Sequence, residues 1–203
     1  MNIHIDQKQN MFIMEKHIPY LKNNMNLFLP LVFSFFIGYD AQQDKIDSIT
    51  KFIQNASNKS EYSVLIDMSI PSNEKRLFLL QLNTKKIIYS TYVAHGKGSG
   101  HETKATLFSD IPGSLCTALG KYKVGKNYNG KHGDSYKLIG LEKSNANAMD
   151  RAIVIHSAWY VEEKFIKENH RCGNSWGCPA VSPEALKKLK TYLTENTIVW
   201  IYK

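Results

Sequence analysis

Hydrophobic residues between positions 44 and 57 recur with the period of a helix. The apolar positions in this segment are Ile46, Ile49, Phe52, Ile53 and Ala56. Spacings of three and four residues place these side chains on one helix face. The pattern therefore predicts an amphipathic helix over Asp44–Ser57 that packs one face against a core.

After residue 60 the pattern changes to short apolar runs that are typical of β-strands. Val, Ile, Tyr and Phe are frequent in these runs, and turn residues such as Pro71–Asn73 and Asn83–Thr84 separate them. The runs that we interpret as strands are Tyr62–Met68, Arg76–Leu82, Lys86–Ala94, Gly120–Val124, Tyr136–Leu141, Ala152–His156 and Thr197–Tyr202. We therefore expect a mainly β domain with a few helices.

The C-terminal region returns to the helical pattern before its last strand. Ser182 and Pro183 resemble an N-cap followed by proline at the first helical position. Three leucines then follow at spacings of three and four: Leu186, Leu189 and Leu193. We expect a helix here that packs its leucine stripe on the sheet.

An uncharged apolar run, Met25–Gly38, lies upstream of all these elements. Its 14 residues would span about 21 Å as a helix, short of the ~30 Å hydrocarbon core of a membrane. Basic residues before the run and the small residue Ala41 after it are typical of a secretory signal. We therefore interpret residues 1–41 as a signal peptide or N-terminal anchor, with a buried core helix as the alternative. A mature chain would begin near Gln42 and lie in the cell envelope or periplasm.

Composition narrows the class of protein. The 203 residues are 43% hydrophobic and 22% charged, which excludes a disordered or collagen-like chain. No apolar run reaches 18 residues, which excludes a transmembrane bundle. Residues 42–203 are long enough for one domain.

The formal charge of +8 suggests an anionic partner. Residues 1–42 hold three Lys and three acidic residues, so the excess lies in the rest of the chain. No run of five Lys or Arg occurs, which disfavours nucleic acid as the partner.

The most informative short segment for chemistry is Ser175–Ala180, which contains Cys178. The chain has three cysteines, an odd number, and no C-x-x-C pair. The segment therefore favours neither a disulfide framework nor a cysteine-rich zinc site. Gly177 lets a substrate approach closely and leaves nearby amides able to face a developing oxyanion. Cys178 is either a nucleophile or a small buried hydrophobe.

A base for this thiol is available in His156, at the end of the apolar run before Ser157. A strand-end histidine and a thiol in a glycine loop can form a nucleophilic Cys/His pair. No Asp or Asn stands where it would orient the imidazole, so a backbone carbonyl next to Ser157 is the candidate. Between the pair lies the polar stretch Lys164–Arg171, which we expect to form a flap.

A metal site is the competing interpretation of the histidines. The candidates are His95, His101, His132 and His156, at spacings of 6, 31 and 24 residues. These spacings match no compact zinc motif and the chain has no H-E-x-x-H segment, so we expect no metal and no other cofactor.

A series of short segments in the chain resembles the murein L,D-transpeptidase catalytic domain family, the YkuD-like branch. His95–Gly100 is similar to the H-G-x-x-S-G segment of that branch, and His156 precedes Cys178 by 22 residues, as in the family. The similar segments, in order, are Val93–Gly100, Thr106–Asp110, Pro112–Ser114, Leu119–Tyr122, Tyr128–Gly133, Leu138–Leu141, Asn145–Ala148, Arg151–His156 and Ser175–Ala180. The resemblance covers about Asp44 to Lys203.

The resemblance implies a YkuD-like β-sandwich or barrel with the site at its rim, and a thiol acyltransferase of peptidoglycan stem peptides. We expect the protein to be a monomer. Carried onto this chain, it makes Cys178 the nucleophile and His156 the base, with the backbone at Ser157 orienting the imidazole. It also implies that the amides of Trp176 and Gly177 hold the oxyanion. Ser175, His95 and Arg171 become candidates for contact with the substrate. The implied reaction forms 3–3 cross-links.

Two alternatives remain open from the sequence. In an L,D-carboxypeptidase water resolves the same acyl-enzyme, and an inactive wall-binding module keeps the fold without turnover. The chain also departs from the family pattern, because Pro179 and Ala180 follow the cysteine where an Ile-Arg segment is common. A disulfide between Cys172 and Cys178 would disable catalysis, and we expect both thiols to be free.

Overall fold

The computed structural model describes residues 42–55, 60–131 and 133–203. The chain divides into two compact units, Met1–Lys45 and Ile46–Lys203. The predicted signal peptide or anchor over residues 1–41 lies outside the described residues, as does His132. No described helix has the length and hydrophobicity needed to cross a membrane.

The predicted mainly β class is confirmed, because eight strands form one mixed sheet in the described part of the chain. The strands follow the order β3-β2-β1-β8-β4-β5-β6-β7 across the sheet. They are β1 (Tyr62–Asp67), β2 (Leu77–Gln81), β3 (Lys86–Thr91), β4 (Gly120–Gly130), β5 (Gly133–Gly140), β6 (Val154–Ser157), β7 (Ala180–Val181) and β8 (Ile198–Tyr202).

Alternating side chains send the two faces of β1 into two different cores. Val64 and Ile66 pack in the main core, whereas Leu65 faces the opposite side of the sheet. The same alternation in β8 places Val199 and Ile201 in the main core. Since β8 pairs parallel with β1 and antiparallel with β4, it joins the two halves of the sheet.

Helix α1, over residues 42–55, covers the second face. Its buried Ile46, Ile49 and Ile53 pack against Leu65 and neighbouring residues of the sheet. The helix predicted for Asp44–Ser57 is therefore confirmed over the residues that the structure describes.

Two shorter helices follow the site-bearing strands. Helix α2 spans Glu163–Asn169 and helix α3 spans Pro183–Leu189. Ser182 caps α3 by accepting a hydrogen bond from the Ala185 N–H at 3.2 Å, as its sequence predicts. The expected flap over Lys164–Arg171 is wrong for most of its length, because Ile166 is buried against a core cluster and fixes the segment as α2.

The β4–β5 hairpin is longer than its apolar runs predict. The apolar run that predicts β4 ends at Val124, and the run that predicts β5 begins at Tyr136. In the structure the two strands stay paired beyond these points, through Asn129 with Asp134, up to the turn. Most residues of the added length are exposed or half-buried, so polar residues occupy it and the hydrophobic pattern stops early.

Candidate active site

Strands β6 and β7 bring the two expected reacting side chains to the same edge of the sheet. The strands are parallel, with His156 opposite Ala180 and Ser157 opposite Val181. Cys178 precedes Ala180 by two residues, in the turn that leads into β7. Residues 176–178 bend before the strand, and Cys178 packs against the main core.

The ring of His156 has a defined hydrogen-bond partner on one nitrogen. His156 is buried, and its Nδ1 lies 2.9 Å from the Ser157 carbonyl oxygen. Because a carbonyl can only accept, this contact places a proton on Nδ1 and makes Nε2 the basic nitrogen of the neutral ring.

Cys178 is partly exposed and its sulfur faces the backbone that enters β6. The Sγ atom lies 3.8 Å from the Ala152 carbonyl oxygen. Burial raises the pKa of the Cys178 thiol, whereas a hydrogen bond from the Val154 backbone and the positive charge of Arg151 act in the opposite direction. Burial is the largest of these effects, so the thiol is the favoured form at neutral pH in the absence of substrate.

Ser175 closes the turn that carries Cys178. Its buried Oγ donates to the Cys178 carbonyl oxygen at 2.6 Å and accepts from the Gly177 N–H at 3.1 Å. Gly177 adopts a φ of +116°, which side chains rarely tolerate. The turn is thus held by one hydroxyl and one glycine conformation.

The Gly177 N–H, expected to face the oxyanion, has another partner in this structure. It is already bonded to Ser175, so it does not face an oxyanion in this conformation. Among the described residues we find no acceptor for the N–H of Trp176 or of Cys178. Trp176 is 72% exposed, and the Lys97 ammonium lies 5.7 Å from the centroid of its ring.

His95 lies beneath the turn rather than in contact with solvent. Its ring is buried, its Nδ1 lies 2.9 Å from Arg76 Nη2, and its Nε2 lies 2.9 Å from the Gly100 carbonyl. Burial, followed by the charge of Arg76, lowers the pKa of His95 to about 4. His95 also supports the turn through its backbone, since its carbonyl accepts from the Ser175 N–H at 3.0 Å.

Arg171 is partly exposed near the same turn. Its Nη1 donates to the Cys172 carbonyl and to Asn174 Oδ1, both at 3.0 Å. Cys116, Cys172 and Cys178 are all free thiols. Cys172 is buried, which raises its pKa to about 12, and its Sγ lies 2.9 Å from the Ser72 carbonyl oxygen.

An ion pair next to the turn involves two residues that the sequence analysis did not propose for the site. Arg151 Nη1 lies 3.3 Å from Asp110 Oδ1, and both side chains are nearly buried. The residues are 41 positions apart, so no local spacing relates them. Both lie in segments that carry the family resemblance, which is the one signal in the sequence that points to them.

Within the described residues, no three His, Cys, Asp or Glu side chains come close enough together to hold a metal ion. A cavity of about 520 Å³ lies between β3 and the two short helices, with Tyr89, Tyr92, Pro183 and Lys188 in its wall. Neither His156 nor Cys178 lines this cavity. The sheet edge carries one thiol, Cys178, and one imidazole, His156, which are the groups that acyl transfer through a covalent intermediate uses.

Comparison with protein families gives one match over most of the chain. The model of the L,D-transpeptidase catalytic domain matches residues 37–202, which include β1 to β8, His156 and Cys178. Among curated proteins, none matches the chain significantly.

Solved structures with a similar arrangement include two bacterial L,D-transpeptidases. One, from Stackebrandtia nassauensis, is 17% identical with a TM-score of 0.44, covering 71% of this chain and 57% of the other. The second, residues 123–326 of the enzyme from Xylanimonas cellulosilytica, is 19% identical with a TM-score of 0.41, covering 70% and 61% respectively. This chain thus spans less than two thirds of either relative.

Proposed function

Since the chain belongs to the L,D-transpeptidase catalytic domain family, a family of acyltransferase enzymes, we propose that it transfers acyl groups between peptidoglycan stem peptides through Cys178. The observation that carries the proposal is the parallel register of β6 and β7. It sets His156 opposite the residue two positions after Cys178. The family match spans both residues, which supports reading this edge as the reacting site.

In the first half-reaction Cys178 attacks the carbonyl carbon between the third stem residue and the terminal D-alanine. His156 takes the thiol proton on Nε2, and the thiolate forms the carbon–sulfur bond. The tetrahedral oxyanion collapses and the carbon–nitrogen bond breaks. The departing amine of D-alanine receives the proton from His156, leaving a thioester on Cys178.

The N–H groups of Trp176 and Cys178 are the proposed donors to the oxyanion. Neither has an acceptor among the described residues, whereas the Gly177 N–H is bonded to Ser175. Preorganised amides of this kind stabilise charge that develops in the transition state. Ser175 and His95 support the turn that presents these donors.

In the second half-reaction the amine of a neighbouring stem attacks the thioester. His156 takes the amine proton, the carbon–sulfur bond breaks, and His156 returns the proton to the departing Cys178 thiolate. The product is a 3–3 cross-link. The Ser157 carbonyl keeps the imidazole in the required tautomer throughout. If water replaces the amine, the same site acts as an L,D-carboxypeptidase.

Arg171 is the proposed contact for a substrate carboxylate. It is partly exposed, and both of its hydrogen bonds in the structure use Nη1, so the rest of its fork remains for a ligand. An arginine fork matches a carboxylate with two parallel hydrogen bonds.

Export is part of the same proposal, because murein lies outside the cytoplasmic membrane. The apolar run Met25–Gly38 would direct secretion or anchor the chain in the envelope. Mass analysis of the envelope protein distinguishes the two cases, since a cleaved signal yields a mature chain starting near Gln42.

Incubation with purified tetrapeptide muropeptides tests the activity. A transpeptidase yields a 3–3 dimer with loss of one D-alanine, and a carboxypeptidase yields a tripeptide monomer. A wall-binding module yields neither product but sediments with murein. Cys116→Ser is the matched control for Cys178→Ala, because Cys116 is a buried free thiol. Turnover that survives in Cys178→Ala contradicts the mechanism.

A further inference from the structure

Arg151 is held by three acceptors in a nearly buried position. Its Nη1 lies 3.0 Å from the Ser109 carbonyl oxygen and 3.3 Å from Asp110 Oδ1, and its Nη2 donates to the Cys116 carbonyl. Its side chain is 4% exposed. A guanidinium removed from water in this way is retained only with such partners, which fix its position.

The same guanidinium lies directly against the turn that carries the nucleophile. A Cβ atom built on Gly177 would lie 2.8 Å from Arg151 Nη2 and 2.7 Å from the Cys116 carbonyl oxygen. The residue after Arg151 is Ala152, whose carbonyl oxygen lies 3.8 Å from Cys178 Sγ. The Arg151 side chain therefore packs against Gly177, and the backbone that follows it contacts Cys178.

Asp110 is oriented by more than its arginine partner. Its Oδ2 accepts from the Asn147 N–H at 2.6 Å, while its backbone carbonyl accepts from Asn147 Nδ2 at 3.1 Å. The carboxylate is thus fixed by groups other than Arg151, and it offsets part of the arginine charge.

Few other ionisable groups face Cys178 from the elements packed around it. Among the described residues, the phenols of Tyr122 on β4 and Tyr160, which follows β6, interact electrostatically with Cys178, and His156 lies on β6. Burial raises the pKa of Tyr160 to about 12 and raises that of Tyr122 further, so both phenols are neutral at physiological pH. Arg151 supplies a permanent positive charge beside the turn.

We propose that Arg151 is a positioning residue of the nucleophile, which fixes the Gly177 turn and supplies the positive charge that favours the Cys178 thiolate. Asp110 offsets part of that charge, while the Ser109 and Cys116 carbonyls keep the guanidinium in place. This inference rests on the proposed role of Cys178. Opposite charges close to an ionisable group favour its charged form, so the two partners have opposite effects on the thiol.

Alkylation of Cys178 measures this effect without any turnover. The rate with iodoacetamide is followed by intact mass between pH 5 and pH 10 in the wild type, Arg151→Gln, Arg151→Lys and Asp110→Asn, with Tm recorded for each. We expect Arg151→Gln to move the apparent pKa of the thiol up by about one unit. We expect Asp110→Asn to move it down, and Arg151→Lys to stay closer to wild type than Arg151→Gln.

Both Arg151→Gln and Asp110→Asn break the same ion pair and lower Tm, so a purely structural role predicts shifts in one direction. Shifts of equal sign, or no shift in either variant, overturn the proposal. If Arg151→Gln fails to fold, Asp110→Asn decides: a downward shift supports the proposal, and an unchanged or raised pKa overturns it. A thiol that titrates as expected without yielding product from muropeptides contradicts the proposed function and leaves this inference standing.

Discussion

Gly177→Ala would place a methyl group in the most crowded part of the nucleophile turn. The new Cβ would lie 2.7 Å from the Cys116 carbonyl oxygen, 2.8 Å from Arg151 Nη2 and 3.3 Å from Ile153 Cδ1. The φ of +116° is also one that alanine rarely adopts. Both the backbone of residue 177 and its surroundings must therefore shift.

Three effects set the expected change in the free energy of unfolding. Holding alanine at this φ costs about 1–3 kcal/mol. Forcing atoms into a packed site costs about another 1–3 kcal/mol. Loss of glycine flexibility in the unfolded chain returns roughly 0.4–1 kcal/mol. We expect a net loss of about 3 kcal/mol, given those ranges.

Gly113→Ala separates the backbone effect from the steric one. Gly113 also has a positive φ, +80°, but a Cβ there meets nothing within 4 Å. We expect this variant to lose only about 1 kcal/mol, since the backbone cost is partly offset in the unfolded state. Urea unfolding of the two variants and the wild type gives both free energies.

Activity should separate the variants further. A shift of about 1 Å at a reacting atom can lower the rate about 100-fold, and residue 177 is adjacent to Cys178. Muropeptide turnover should fall by at least that factor in Gly177→Ala and stay near wild type in Gly113→Ala. Equal stability and equal turnover in the two variants would refute the steric account of the turn.

The remaining predictions concern the reacting thiol, a buried histidine and a helix cap. Cys178→Ala should fold normally but lose acyl transfer, whereas Cys116→Ser should retain activity when both are assayed with muropeptides. Because the pKa of the Cys178 thiol is raised, its alkylation should be slow at pH 6 and accelerate as the pH increases past 8. The pKa of His95 is lowered from 6.5 to about 4, so the folded state resists its protonation. Up to about 3 kcal/mol of stability that is present above pH 6.5 is therefore lost as the pH falls to 4. Urea midpoints measured across this pH range should fall accordingly, and His95→Gln should reduce their pH dependence. Ser182→Ala removes the hydrogen bond from the Ala185 N–H and should lower the free energy of unfolding by about 1 kcal/mol in the same assay.

Periodic patterns anticipated the parts of the fold that have a buried face. The helical spacing of the isoleucines predicted α1, and each of the seven apolar runs coincides with a strand. β7 was missed because Ala180–Val181 is too short to show any period. Helix α2 was mistaken for a flap because a single buried residue, Ile166, outweighs its polar composition.

The site residues also divide into those that a local sequence pattern predicts and those whose contacts depend on packing. His156 and Cys178 stand out because a strand end and a glycine turn are local signals. The burial of His95 against Arg76 depends on packing between segments 19 residues apart, and spacing alone cannot reveal it. The bond between Gly177 and Ser175 depends on one turn conformation, so the expected direction of that amide could not be read from residue types.

The position of β8 makes folding of this domain depend on its final strand. Without β8 the sheet separates into β3-β2-β1 and β4-β5-β6-β7, which share no strand pairing. The Ser63 hydroxyl donates to the Ile198 carbonyl across 135 residues of chain, and such long-range closure slows folding. Until residues 198–202 pair, β1 and β4 are open edges with no strand between them. A deletion of five residues there should be as damaging as loss of an entire core element.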